Sequence, residues 1–91
     1  MTKQEKTIVI FRKWKDGQII ALFPTVPNDY AGKYCESYMH VGQHSGADYW
    51  GVIEQTKPAK WGEYQALRNE LESAPYNYVL DVRQRRPAAK V

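Results

Sequence analysis

The dipeptide Asp16-Gly17 stands between two apolar runs, and this arrangement constrains the fold more than any other feature of the sequence. Asp-Gly between two stretches rich in β-branched and aromatic residues is the strongest short-range signal for a β-hairpin. We therefore predict two strands, at about residues 7–14 and 18–23, joined by a tight turn. Two prolines that follow the second run end that strand.

Both predicted strands are apolar on two faces, because successive side chains of a strand point to opposite sides. In the first strand Ile8 and Ile10 face one way. Val9 and Phe11 face the other way, and the second strand shows the same pattern. Such strands are covered on both sides, and a single helix covers only one of them. We expect the segment 24–33 to fold over the second face of a monomer, with a sheet-to-sheet homodimer as the next alternative.

The remaining segments complete the predicted order of elements. A third strand is expected from Tyr34 to Val41, followed by a glycine-rich loop from Gly42 to Gly51 and a short edge strand over Val52–Thr56. Alternating polarity predicts a last strand from Tyr76 to Arg83.

Between the edge strand and the last strand, helical spacing predicts one helix that begins at about Pro58 and ends before Pro75. Its predicted apolar face consists of Trp61, Tyr64, Leu67 and Leu71. The order β-β-β-loop-α-β predicts an α+β fold, in which a small antiparallel sheet carries one helix on one face. A small five-stranded barrel is the alternative.

A length of 91 residues predicts one domain, which we place at residues 7–83 between a disordered N-terminus (1–6) and a flexible basic tail (84–91). The net charge is +3, but residues 83–91 contain four basic residues and no acidic one. Without them the chain has nine basic and ten acidic residues, so the predicted folded body is close to neutral.

The polar first residues and the absence of a long apolar run predict neither a signal peptide nor a membrane span, so we expect a cytoplasmic protein. A single cysteine excludes an internal disulfide and a multi-cysteine metal site. His40, His44 and Asp48 follow one another at intervals of four, which superficially resembles a series of metal ligands. Two nearby glycines disfavour the helix on which that spacing would bring ligands together. We therefore predict no metal and no other cofactor.

No catalytic residue is assigned from the sequence. Cys35 and His40 have opposite parity in the predicted third strand, so their side chains leave opposite faces of the sheet. Glu36 and Tyr38 share a face with His40, and His44 follows, but this weak cluster is typical of a polar sheet face. Phosphate loops, nucleophile elbows and paired carboxylates are lacking, so we expect no enzymatic activity.

Aromatic residues concentrate around the glycine-rich segment, and Tyr and Trp are enriched at protein interfaces. We therefore predict a non-enzymatic small binding module that acts through a protein partner. The predicted binding residues are Tyr38, His40, His44, Tyr49 and Trp50.

The alternative function is binding of single-stranded nucleic acid. Three cations surround one indole at the predicted hairpin tip, an arrangement that suits phosphates and a stacked base, and the C-terminal tail supplies further cations. The residues assigned to this alternative are Arg12, Lys13, Trp14, Lys15, Arg83, Arg85 and Arg86.

The segment Ile19–His44 (IIALFPTVPNDYAGKYCESYMHVGQH), with the later SGAD at 45–48 and TKPA at 56–59, resembles a group of small uncharacterised bacterial proteins. Some members of that group are encoded on phages and other mobile elements. The resemblance covers about residues 7–83 and implies a bacterial or phage origin and a compact single domain. It carries no activity, cofactor or catalytic residue to this chain. We expect the binding module to modulate a larger bacterial machine.

Overall fold

A computed structural model describes residues 6–27, 34–39, 44–74 and 76–84. These residues form a mostly antiparallel, open sheet with a helix packed against each face. The strands are β1 (Thr7–Lys13), β2 (Ile19–Pro27), β3 (Cys35–Tyr38), β4 (His44–Ala47), β5 (Lys57–Pro58) and β6 (Leu80–Val82). The helices are α1 (Tyr49–Gln55) and α2 (Trp61–Glu72).

The order of the strands across the sheet is β4-β3-β2-β1-β5, and β6 also pairs with β1. Two strands therefore share one edge of β1. β5 runs antiparallel beside Arg12 and Lys13, whereas β6 runs parallel beside residues 7–9. The sheet does not close on itself, so the predicted α+β fold is confirmed and the barrel alternative is wrong.

The predicted hairpin joins β1 to β2, and three residues, 15–17, form its turn between Trp14 and Gln18. The backbone N–H of Trp14 donates to the carbonyl of Gln18 at 2.8 Å, and the N–H of Gly17 donates back to the carbonyl of Trp14 at 2.9 Å. Gly17 has a φ of +92°, the left-handed conformation that such loops require at their last position. The carboxylate of Asp16 accepts a further bond from the N–H of Gln18 at 3.0 Å.

Both faces of the hairpin are buried, as the alternation of side chains predicts. The core on the α2 side contains Val9, Phe11, Ala21, Phe23, Tyr38, Leu67, Leu71 and Leu80. The core on the α1 side contains Ile10, Ile20, Leu22, Cys35, Ala47, Tyr49 and Val52. A second helix thus covers the second face, which corrects the expectation that the segment 24–33 does so. Residues 24–27 continue β2, and residues 28–33 lie outside the described part of the chain.

The segment 44–56 differs most from its predicted structure, since β4 and α1 replace part of a loop and an edge strand. Tyr49 and Val52 are three residues apart and both buried, which is the helical period. A run as short as Val52–Thr56 does not distinguish a strand from a helix by pattern alone.

Three element boundaries also differ. β2 continues to Pro27 because the register with β3 is interrupted between Phe23 and Pro27, and proline is tolerated at such a bulge. α2 begins at Trp61, since Pro58 pairs within β5, and it ends before Pro75 as predicted. β3 spans Cys35–Tyr38, within its predicted range.

Of the predicted last strand, only Leu80–Val82 pairs with the sheet, because Asn77 at a φ of +52° interrupts the extended backbone. The tyrosines before β6 pack on the core instead: the ring centroids of Tyr78 and Phe23 lie 5.5 Å apart. Neither described helix combines the length and apolar character that crossing a membrane requires.

Gly17→Ala and Gly62→Ala should change stability in opposite directions. A Cβ added at either glycine meets no atom within 4 Å, so only backbone conformation distinguishes the two sites. At Gly17 the left-handed φ should make alanine destabilising by about 1–2 kcal/mol. In the first turn of α2, alanine should stabilise by a few tenths to about 1 kcal/mol. Urea denaturation measures the free energy of unfolding of both variants. An equal change in the two variants would contradict the left-handed conformation assigned to Gly17.

Candidate functional site

The structure divides the predicted binding residues. Tyr38 and Tyr49 are 0% and 5% exposed, which leaves them little surface for a partner to contact, whereas Trp50 is 60% exposed. His44 belongs to β4, where its backbone lies opposite Tyr38. His40 lies outside the described residues. Trp50 is therefore the predicted binding residue that the structure places in solvent.

Tyr38 is a core residue because its position in β3 points its side chain toward α2. Its hydroxyl donates a hydrogen bond to the carboxylate of Glu70 on α2. Its ring meets the ring of Tyr76 edge to face, with centroids 5.2 Å apart. These contacts hold Tyr38 between the sheet and α2.

Helix geometry separates Tyr49 from Trp50. Consecutive residues of an α-helix point about 100° apart, so α1 buries Tyr49 against the sheet and turns Trp50 outward. The two rings still touch edge to face, at a centroid distance of 4.9 Å and an angle of 87°. The buried ring of Tyr49 thus packs against the exposed indole of Trp50.

An open groove of about 610 Å³ lies between the hairpin tip and the end of α1. Its volume is within the range of ligand-binding clefts. The indole N–H of Trp14 is buried there and has no hydrogen-bond partner among the described residues. The groove is lined mainly by Trp14, Lys15, Asp16, Met39, Glu54 and Gln55.

Arg12 is engaged within the fold, and its assignment to phosphate binding stays a prediction. Arg12 is 8% exposed, and its guanidinium donates to the carbonyls of Ile53 and Thr56 at 3.1 and 2.7 Å. A third bond goes to the hydroxyl of Thr56 at 2.9 Å. The cation thereby occupies the negative end of the α1 dipole and satisfies carbonyls that the helix leaves unpaired. Burial lowers the pKa of Arg12 below its usual value.

The other cations assigned to nucleic acid differ in availability. Lys13 pairs with the carboxylate of Glu63 on α2, whereas Lys15 is exposed at the hairpin tip. Arg83 is exposed but bonds the carboxylate of Asp81 at 2.9 and 3.1 Å. The remaining two arginines, Arg85 and Arg86, lie outside the described part of the chain.

Sequence reasoning missed two surface residues, Glu54 because α1 was not predicted and Trp61 because it was placed on the buried face of the predicted helix. Glu54 was expected in an edge strand, and it lines the groove from α1. Trp61 has the spacing of the apolar face of α2, yet it is 68% exposed. The described residues hold no group of three His, Cys, Asp or Glu side chains that could bind a metal ion, and Asp48 is exposed before α1.

Comparisons of the chain with family models, with curated proteins and with solved structures give no match. The resemblance to small bacterial and phage proteins stays a prediction.

Arg12→Met should lower the free energy of unfolding by about 2 kcal/mol, because it removes the donors to the buried end of α1 while keeping an apolar stem. Lys15→Met is the matched control: Lys15 is exposed on the same hairpin, so its replacement should change stability by less than about 0.5 kcal/mol. Chemical denaturation of both variants measures the difference. Equal stability of the two variants would show that Arg12 does not hold α1.

Glu63→Gln should alter the pH dependence of stability. The side chain of Lys13 and the backbone N–H of Lys60 lower the pKa of Glu63 from its usual 4.5. A carboxyl whose pKa falls on folding stabilises the native state above its unfolded pKa, and this contribution disappears as the pH falls through the folded pKa. Wild type should therefore exceed Glu63→Gln in stability at neutral pH and lose that advantage progressively as the pH falls below 4.5 and through the lowered pKa of Glu63. Thermal unfolding across pH tests this, and a pH-independent difference would contradict it.

Proposed function

We propose that this chain is a small binding module that acts through a protein partner and contacts it with the exposed side of α1 and the adjoining groove. We call this region the α1 surface; it comprises Trp14, Met39, Trp50, Glu54 and Gln55. The proposal is supported chiefly by Trp50, whose large apolar side chain is 60% exposed. Tryptophan is enriched among the residues that dominate the binding energy of protein interfaces.

The core holds Trp50 in a fixed position. α1 has seven residues, too few for a stable helix in isolation, so its order depends on the sheet beneath it. Tyr49 and Val52 anchor it in the core, and Arg12 binds its last turn. A rigidly held indole loses little conformational entropy when a partner covers it, which favours binding.

The groove adds polar and adaptable contacts to the exposed indole. Glu54 lies one helical turn after Trp50 on α1, so the indole and the groove wall adjoin on one side of the helix. The side chain of Trp14 and the polar side chains of Glu54 and Gln55 line the groove beside the Trp50 indole. Met39 provides a flexible apolar wall that adapts to different side chains. An apolar centre with a charged rim is the usual organisation of a protein interface.

Trp50→Ala should remove a specific partner while leaving the fold intact. Proteins enriched by the chain from a lysate of the source organism are quantified by mass spectrometry. One of them should be recovered with wild type and be at least tenfold less abundant with Trp50→Ala, because removal of one anchoring side chain weakens an interface by about that factor. Trp61→Ala is the matched control, because it removes an equally exposed indole from the other helix. Binding of the purified partner should show the same order by calorimetry.

Two results would overturn this assignment. Equal enrichment by wild type and Trp50→Ala would show that the α1 surface does not bind the partner. A loss of secondary structure in Trp50→Ala, measured by circular dichroism, would show that the indole stabilises the fold.

A further inference from the structure

The sheet edge beside β1 carries exposed cations and an exposed indole outside the α1 surface. We call this region the basic edge; it comprises Lys15, Lys57, Lys60, Trp61 and Arg83, all of them exposed. Trp61 is 68% exposed, the highest value among the large apolar side chains of the described residues. Lys57 and Lys60 come from the segment that connects the two helices.

The backbone pairing brings these residues to one edge. β5 runs antiparallel to β1, so Lys57 lies opposite Lys13, and the N–H of Ala59 donates to the carbonyl of Phe11 at 3.1 Å. β6 approaches from the other end of β1, and the N–H of Arg83 donates to the carbonyl of Val9 at 2.9 Å. Phe11 and Val9 are two residues apart, about 7 Å along a strand. Lys60, which follows Ala59, and Arg83 therefore leave the sheet close to each other.

The lysines nearest the hairpin tip share a groove of about 410 Å³. Lys13, Lys15 and Lys57 line it together with the Trp14 ring, and Glu54 is the acidic side chain of its lining among the described residues. Lys13 is neutralised by Glu63. Lys15 and Lys57 form no ion pair with any described residue, so the groove retains positive charge available to an anion.

Trp61 gives this charged edge a flat apolar surface. It begins α2 directly after Lys60, and it does not join the core that Leu67 and Leu71 of the same helix enter. Cations spaced along a strand edge, with an exposed indole directly after one of them in the sequence, suit the repeating phosphates and the unpaired bases of a single strand. In a duplex the bases are stacked on each other and cannot lie on an indole.

We propose that the basic edge binds single-stranded DNA or RNA, with phosphates against Lys15, Lys57 and Lys60 and one base stacked on Trp61. This inference rests on a different indole from the protein-binding proposal above, since Trp50 takes no part in it, although the two grooves share Trp14, Lys15, Glu54 and Gln55. Arg83 contributes less charge than the lysines, since Asp81 already bonds it.

Fluorescence polarisation with labelled oligothymidylate and oligouridylate of about 16 nucleotides tests the proposal. Saturable binding is expected at about 50 mM salt, with a plot of log affinity against log salt whose slope is about −2 to −3, the value for three or four phosphate contacts on a single strand. Trp61→Ala should weaken binding about tenfold with the slope unchanged, because stacking releases no counterions. Lys57→Gln should reduce the slope by about 0.7.

Trp50→Ala is the control that separates this proposal from the protein-binding one, since it should bind the oligonucleotides like wild type. Both Lys57 and Trp61 are exposed, so their variants should keep the thermal midpoint of wild type. Absence of binding at low salt, or equal affinity of wild type and Trp61→Ala, would overturn the proposal. Equal competition by polyglutamate or by a duplex would overturn it as well, since it would show attraction to any polyanion.

Discussion

The two central strands must be buried on both faces, and the rest of the structure follows from this constraint. Ile10 and Leu22 point toward α1, whereas Val9 and Phe23 point toward α2, so loss of either helix would expose large apolar side chains. The sheet therefore orders a helix of only seven residues that would be unstable alone. The surfaces left for recognition are the outward sides of the helices, the hairpin tip and the sheet edges.

Arg12 shows how strand alternation decides the role of a charged residue. It occupies the same face of β1 as Ile10, beneath α1, where an unpaired cation would be strongly destabilising. Its three hydrogen bonds to Ile53 and Thr56 offset that cost and complement the helix dipole. Lys13, the next residue, points to the other face and pairs with Glu63 on α2. Adjacent cations thus attach β1 to different helices.

The hairpin, the two-sided burial and the end of α2 were predictable because each depends on local pattern: turn chemistry, alternation and a following proline. α1 was not predictable in this way, since a seven-residue helix with Gly51 inside it has weak helical propensity and is ordered by tertiary contacts. The candidate site was predictable only in part. The aromatic residue type singled out Trp50 together with Tyr38 and Tyr49. Residue type alone could not show that the two tyrosines are buried, because their burial depends on packing partners distant in sequence.

The exposed indoles lie outside the two buried cores. On α2, Tyr64 stacks on Phe11 at a centroid distance of 4.5 Å, while Trp61, one turn earlier, remains in solvent. On α1, Tyr49 is buried and Trp50 is exposed. Because the two helices are anchored to opposite faces of the sheet, covering one indole need not move the other. A ligand on the basic edge and a partner on the α1 surface would then bind without energetic coupling. Coupling would arise if occupation of one groove shifted the Trp14 ring, because this ring lines the grooves of both surfaces.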